Sequence, residues 1–375
     1  MYVKIANILE GKRFTKICFD NTTLFPDGEG GQLGDRGYID GEYFESVERC
    51  HNQICVSLET EKQFNIGEEV KLDVDIKRRY DIAQQHTAQH LLSAIISKEF
   101  SAVTKGFKMG EEYSTIDINL PQFEKDHERL VEKRFFDEVR QCRNVYVEEY
   151  SFEEVNDLDL RKSVSDKLHG EKSIRIVSID GIDKIACSGF HVNSTCELGM
   201  LKIIKTEKKK SNLARLFFVA GFRTLDYFQK GHSLIRWLNN ELTCGLNEIP
   251  ERIKKMEENT RTLKKQINDL QEELAIIYAK DAKADDNICK YVEAEKNIVE
   301  KIPEYIDSEE YILIGKIEES KYLIFSKRIN LIDLYSYLSN EIPISGGCGK
   351  TKGQIVTHVY PKEIVNKVEK FLREE

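Results

Sequence analysis

The stretch Tyr80–Ile95, YDIAQQHTAQHLLSAI, sets His86 and His90 four residues apart in a run whose leucines and isoleucines keep core spacing. Residues i and i+4 share one helical face, so both imidazoles point the same way and can ligate one metal ion. The plainer reading is a pair of ordinary histidines at the margin of a helix core. A second four-residue pair, Cys187 and His191, lies about a hundred residues on, in DKIACSGFHVNSTCELGMLKI. A thiolate and a third imidazole complete a His/His/Cys/His set of borderline-soft donors suited to zinc. Here too a plainer reading stands beside it, a buried thiol and a satisfied core histidine. Peptidase chemistry is excluded. The zinc-peptidase motif HExxH needs a general-base Glu directly after the first His, but Thr87 stands there, and Gln89 cannot take a proton.

A third segment, DNTTLFPDGEGGQLGDRGYI, brackets Gln32 with glycines at 28, 30, 31, 34 and 37. Such glycines let backbone approach a ligand closely or take positive φ, although many glycine-rich loops are simply turns. The Gln32 amide can both donate and accept. The pattern GxxxxGK[ST] is missing, so this is not a phosphate loop.

The elements that must position these residues follow from periodicity. Residues 1–79 read as a β-rich unit built from short alternating runs such as KICFD, RGYID, QICVSLE and EVKLDVD. The period turns helical at Asp81–Lys98. The region 80–229 then mixes the strands STIDINL, SIRIVSID and RLFFVAG with an amphipathic helix over FEKDHERLVEKRFFDEVRQC. Within 230–282, Ile253, Met256, Thr260, Leu263, Ile267, Leu270, Leu274 and Ile277 alternate steps of three and four. That stripe predicts a helical arm with a coiled-coil or antiparallel helix-pair seam, or else a long surface helix packed on its own domain. The last section, 283–375, alternates strands and helices around the glycine-rich loop ISGGCGKTKGQIV. The fold class expected is α+β.

Composition narrows the function classes. The chain has 375 residues, 40% of them hydrophobic, with a net charge of −9. A surface of that sign argues against general coating of nucleic acid and leaves RNA contact to local basic patches. No run approaches a membrane span and the N-terminus does not resemble a secretion signal. Nine scattered cysteines, an odd number, fit a reducing cytoplasm better than a disulfide framework.

In this order the segments resemble the editing module of alanyl-tRNA synthetase and, more closely, its freestanding relatives, the long-form alanyl-tRNA editing proteins. TLFPDGEGGQLGDRG is similar to TxFYPEGGGQPxDRG, HTAQHLL to HTATHLL, and CSGFHVNSTCELG to CGGTHVxxTGEIG. IKTEKKKSNLARLFFVAGFRTL resembles the strand after the metal site, and SGGCGKTKGQ a shortened form of the glycine-rich loop in the synthetase's C-terminal domain. Three departures stand out. Phe190 replaces the Thr of CGGTH, Cys196 replaces the Gly of TGEIG, and the loop reads PDGEGGQ where the family has PEGGGQ.

The resemblance implies a β-barrel-like N-terminal domain, an α+β editing domain, a long helical arm and a small C-terminal domain that contacts tRNA or dimerises. No adenylate-forming core is expected. It carries the zinc ligands onto His86, His90, Cys187 and His191. It implies a zinc-dependent deacylase acting on tRNA(Ala) charged with serine or glycine. Gln32 and Thr23 are the pocket residues that would read the serine hydroxyl. Thr22 takes Thr23's place if the count starts from Pro26. The expected tRNA contacts are Lys202, Lys205, Lys208, Lys209, Lys210, Arg215, Lys350 and Lys352, and each is also readable as a solvated surface charge. A homodimer through the arm or the C-terminal domain is a further expectation. Two other readings stay open: an editor of another aminoacyl-tRNA, and a non-catalytic, zinc-stabilised tRNA-binding oligomer.

Overall fold

Alternating apolar residues between Tyr2 and Val74 form eight strands: β1 (Tyr2–Lys4), β2 (Asn7–Glu10), β3 (Thr15–Phe19), β4 (Gly37–Ile39), β5 (Glu42–Phe44), β6 (Ser46–Cys50), β7 (Gln53–Leu58) and β8 (Glu69–Val74). They pair antiparallel in two four-stranded sheets, ordered β1-β8-β4-β5 and β2-β3-β7-β6. Ile17, Phe19, Ile39, Phe44, Val56, Leu58 and Leu72 fill one core between them. The computed structural model describes residues 1–11, 13–163, 173–210, 212–281, 289–308 and 310–374. The chain divides into two units, Met1–Trp237 and Leu238–Glu375.

The cysteines correct one expectation. Cys18 on β3 lies directly opposite Cys55 on β7 and the two form a disulfide, as do Cys142 and Cys196. Cys50, Cys187, Cys244, Cys289 and Cys348 are free. The pairing depends on strand register and turn geometry over separations of 37 and 54 residues, which cysteine spacing alone does not reveal.

Helix α1 (Ile76–Phe100) starts at Asp75, whose carboxylate accepts from the Arg78 N–H at 3.0 Å, and ends at Ser101 in the left-handed region. Every residue from Ile82 to Ile96 is buried, so the helix lies inside the unit rather than at a core margin. Its polar side chains are satisfied accordingly. Gln84 donates to Glu197 O at 2.6 Å. Gln85 exchanges two hydrogen bonds with the Ala220 backbone, and Gln89 donates to Ser93. Unpaired, each such group would cost about 1–3 kcal/mol.

Around α1 stand β9 (Thr104–Met109), β10 (Ser114–Ile118), α2 (Lys125–Val139), β11 (Val145–Tyr150), α3 (Phe152–Asn156), β12 (Ile174–Ile179), β13 (Asp183–Ala186), β14 (Leu201–Lys209) and β15 (Leu213–Ala220). One sheet runs β14-β15-β10-β9 and another β11-β12-β13. Leu91, Leu92, Ile96, Ile116, Phe135, Val177, Leu216 and Phe218 share their core with α1 and α2. This is the α+β arrangement expected. Helix α4 (Phe222–Leu242) follows.

The second unit contains α5 (Ile249–Asp281), β16 (Cys289–Glu293), α6 (Lys296–Tyr305), β17 (Ile312–Glu318), β18 (Lys321–Ser326), α7 (Leu331–Glu341), β19 (Ser345–Cys348), β20 (Lys352–Val356) and α8 (Pro361–Glu374). Its sheet is ordered β16-β17-β18-β20-β19, with β16 and β17 parallel across the α6 connection. Helix α6 covers only the last turns of α5, where Ala275 and Ala279 are buried. Ile253, Met256, Leu263, Ile267, Leu270, Leu274 and Ile277 of the stripe are exposed. The expected boundary at 282/283 lies outside the described residues.

Candidate metal centre

His86 and His90 leave α1 on one face, and β13 delivers Cys187 and His191 to the same place. The four donor atoms lie within 4.8 Å of one another. The Cys187 backbone N–H donates to Arg175 O at 3.0 Å, so the thiol follows directly from the β12–β13 ladder. Its Sγ lies 3.4 Å from His86 Nε2 and 3.4 Å from His191 Nε2.

What faces the other ring nitrogen decides which nitrogen each imidazole can offer. Gln32 Oε1 accepts from the Phe190 N–H at 3.0 Å and lies 2.7 Å from His86 Nδ1. A backbone N–H only donates, so the amide atom it meets is oxygen. His86 Nδ1 must therefore carry the proton, which leaves Nε2 free. Thr87 Oγ1 accepts from the Val192 N–H at 3.1 Å and sits 3.0 Å from His191 Nδ1, where it can accept a second bond. His90 Nδ1 faces the Asp183 carboxylate at 3.5 Å. Oxygens from three parts of the chain thus face the three histidines, within hydrogen-bond reach at His86 and His191 and at 3.5 Å without a formed bond at His90.

Burial sets the protonation. It pushes His86 down to about 3, helped by the Arg175 guanidinium. Burial, and then their neighbouring imidazoles, hold His90 and His191 well below the ordinary histidine value. Burial raises the Cys187 thiol against the pull of the Gly189 N–H and Arg175. Neutral imidazoles, with His86 Nε2 unprotonated, beside one thiol fit a zinc ion.

The glycine-rich loop closes one side of the cluster. Gly31 takes φ 76°, and the nearest atom a Cβ there would meet is on the Phe107 ring at 3.0 Å. The Phe107 ring stacks on His86 with centroids 5.2 Å apart. Gln32 is 1% exposed, and its Nε2 has no hydrogen-bond partner. Arg79 pins the loop: its guanidinium binds Asp35 at 2.6 and 3.0 Å and covers the Phe190 ring at 4.6 Å. Phe25 packs on the same ring at 5.1 Å. Gly189 is the tightest point, because a Cβ there would overlap both the His86 ring and Gln32 Oε1. A cavity of about 620 Å³ reaches Asp183 past Ala94, Ser97 and Arg161; none of the four donors lines it.

The remaining expected residues scatter. Thr23 is exposed with its hydroxyl directed at Met1 Sδ, and Thr22 Oγ1 accepts from the Leu24 N–H. Lys202 pairs with Glu132, Lys205 with Glu207, Arg215 with Asp117 and Lys352 with Glu300. Lys208, Lys209, Lys210 and Lys350 are exposed. Sequence reasoning overlooked Asp183, Arg161, Gly189 and the accepting role of Thr87. Thr87, one residue after His86, and Gly189, midway between Cys187 and His191, each had a positional clue.

Residues 174–217 match the family described as the threonyl and alanyl tRNA synthetase second additional domain. The chain is 32% identical over 261 residues to a mouse protein named alanyl-tRNA editing protein Aarsd1, covering 69% of this chain and 62% of that one. It is 32% identical over 275 residues to alanyl-tRNA editing protein AlaX-L of Pyrococcus horikoshii, covering 72% and 66%. Alanyl-tRNA editing protein Aarsd1-A of Xenopus laevis is 28% identical over 344 residues, covering 89% and 82%. The chain thus spans a little under two thirds of the length of the first two.

Two outcomes follow from the geometry. Gly189→Ala drives a methyl into His86 and Gln32, so bound zinc is expected to fall below a tenth of the wild-type content while the far-UV circular dichroism is kept. Metal analysis of the purified variant checks this. The second concerns pH. Histidines in the unfolded chain bind protons below about pH 6.5, whereas the buried three resist, His86 down to about 3. The unfolded state therefore binds more protons between those limits. The stability these groups contribute is complete above about pH 6.5 and is lost as pH falls towards 3. Melting of the chelator-treated protein should drop steadily from pH 7 to pH 5; a flat profile contradicts buried neutral imidazoles.

Proposed function

The chain belongs to the alanyl-tRNA editing proteins, and from that premise we propose that it hydrolyses the ester linking serine, or glycine, to the 3′ end of tRNA(Ala). The convergence of His86, His90, Cys187 and His191 carries this reading. A zinc ion held there would polarise the ester carbonyl and lower the pKa of a bound water towards about 7.

The chain's own residues have the other roles. Gln32 fixes His86 through Oε1, which leaves the two Nε2 protons to donate to the substrate, either to the carbonyl oxygen or to the serine hydroxyl. A buried donor without a partner discriminates well. A substrate that lacks the matching hydroxyl leaves it unpaired, at a cost of about 1–3 kcal/mol. Gln32 is a stronger candidate for this role than Thr23, whose hydroxyl is exposed and directed at Met1. The stack of Phe25, Phe190 and Arg79 holds the loop that carries Gln32.

RNA contact falls to exposed cations. Lys208, Lys209 and Lys210 at the turn between β14 and β15 would meet the acceptor end, and Lys350 in the C-terminal glycine loop would meet phosphate elsewhere. Lys205 and Lys352 sit in exposed ion pairs worth about 0–1 kcal/mol, so phosphate can displace the carboxylate there, whereas Lys202 and Arg215 are half-buried in theirs.

The decisive experiment mixes the protein with Ser-tRNA(Ala), Gly-tRNA(Ala) and Ala-tRNA(Ala), with and without a chelator. Serine release that the chelator stops, with alanine largely spared, is expected. His90→Ala should lose both zinc and deacylation. Tight tRNA binding without any release would instead favour the non-catalytic reading, which a closed four-donor set also suits. For the pocket, Gln32→Leu should lower the serine-over-alanine rate ratio by about tenfold. Thr23→Val should leave that ratio within about twofold.

A further inference from the structure

We propose that Asp183, clamped by Arg161, is a positioning residue that holds the His90 ring with Nδ1 protonated and Nε2 turned to the metal. This rests on the metal reading above. His86 and His191 each have a hydrogen-bonding acceptor at Nδ1, whereas His90 Nδ1 is buried with no hydrogen-bond partner. The nearest acceptor is Asp183, whose Oδ2 lies 3.5 Å away.

That carboxylate is not free to turn. Arg161 Nε donates to Oδ1 at 2.6 Å and Nη2 to Oδ2 at 3.2 Å, a fork that fixes the carboxylate plane. Arg161 is itself tied to the neighbouring strand, its backbone N–H donating to Lys184 O at 3.0 Å. The Asp183 side chain is fully buried and that of Arg161 is 17% exposed. Asp183 also begins β13, the strand that runs straight into Cys187, so one four-residue strand carries the carboxylate facing one ligand and leads directly into another.

A buried aspartate carboxylate 3.5 Å from an imidazole nitrogen favours a proton on that nitrogen. Zinc on the far nitrogen strengthens the attraction, because ligation makes the ring N–H more acidic. The gap would close to hydrogen-bond length by a shift of about half an ångström.

The test uses the full chain and two readouts. Competition against a chromophoric chelator measures zinc affinity. 15N resonances of the histidine rings in the metal-free protein report the tautomer of each. Asp183→Asn is expected to weaken zinc by about 10–100-fold and to lose the pure Nδ1–H tautomer at His90, with His86 and His191 unchanged. Zinc affinity within twofold of wild type, or an unaltered His90 tautomer, overturns the proposal; so does weakened zinc without a tautomer change, which marks a structural role only. A wild-type protein that binds no zinc defeats the metal reading instead, and the tautomer comparison then decides the positioning role alone. Should Asp183→Asn not fold, Arg161→Lys keeps the charge and gives up the fork. It is expected to shift both readouts the same way by a smaller amount, and no shift in either overturns the proposal.

Discussion

An imidazole offers a metal one nitrogen, and the partner of its other nitrogen settles which one. At this centre the groups facing those nitrogens are an amide oxygen from the glycine-rich loop, a hydroxyl from α1 and, at 3.5 Å, a carboxylate from the start of β13. They differ in chemistry, and the amide oxygen fixes its imidazole outright, leaving His86 Nε2 available beside the single sulfur. The architecture can be read as the means of bringing these acceptors together. The loop that carries Gln32 joins β3 of one N-terminal sheet to β4 of the other, α1 supplies Thr87 between its two histidines, and the β12–β13 hairpin sets Asp183 four residues ahead of Cys187.

Holding that arrangement taxes the interior. Helix α1 places Gln84, Gln85, Gln89 and Ser93 in the core alongside His86 and His90, and all of these buried groups need partners. The glutamines find backbone carbonyls and hydroxyls. The ligand nitrogens and the thiol face one another, so a metal bound there would couple its binding to stability through these residues. The loop is held from outside by Arg79, which binds Asp35 and lies over Phe190. This gives a physical account of the phenylalanine at a position where the family has threonine. Its ring fills the space between Phe25 and the guanidinium and anchors the segment between Cys187 and His191.

Much of this was legible in the sequence, for reasons that can be named. Spacing of four puts His86 and His90 on one helical face whatever surrounds them, and strand periodicity in KICFD, SIRIVSID and RLFFVAG survives in β3, β12 and β15. The backing of the histidines was illegible because it depends on contacts between residues far apart in sequence. Gln32 and His86 are 54 positions apart, and Arg161 and Asp183 are 22. Thr87 was weighed only as a base it could not be, while its oxygen accepts behind His191. The same blindness to register hid the disulfide between Cys18 and Cys55. Full burial of α1 also escaped periodicity, because its polar residues are satisfied by other elements and read as solvent-facing when the helix is taken alone.

The four donors are not equivalent, and their difference bears on how the centre would fill. Burial keeps the three imidazoles neutral at ordinary pH, so each is ready to ligate without giving up a proton. Cys187 is the opposite case, since burial favours the thiol over the thiolate that zinc requires. Uptake of the metal is then coupled to loss of a single proton, from Sγ, and becomes harder as pH falls even while the histidines remain uncharged. The Gly189 N–H and the Arg175 guanidinium oppose burial at the same sulfur and favour its charged form. The loop after β13 therefore controls two things at once, the space for the His86 ring at Gly189 and the charge of the sulfur beside it.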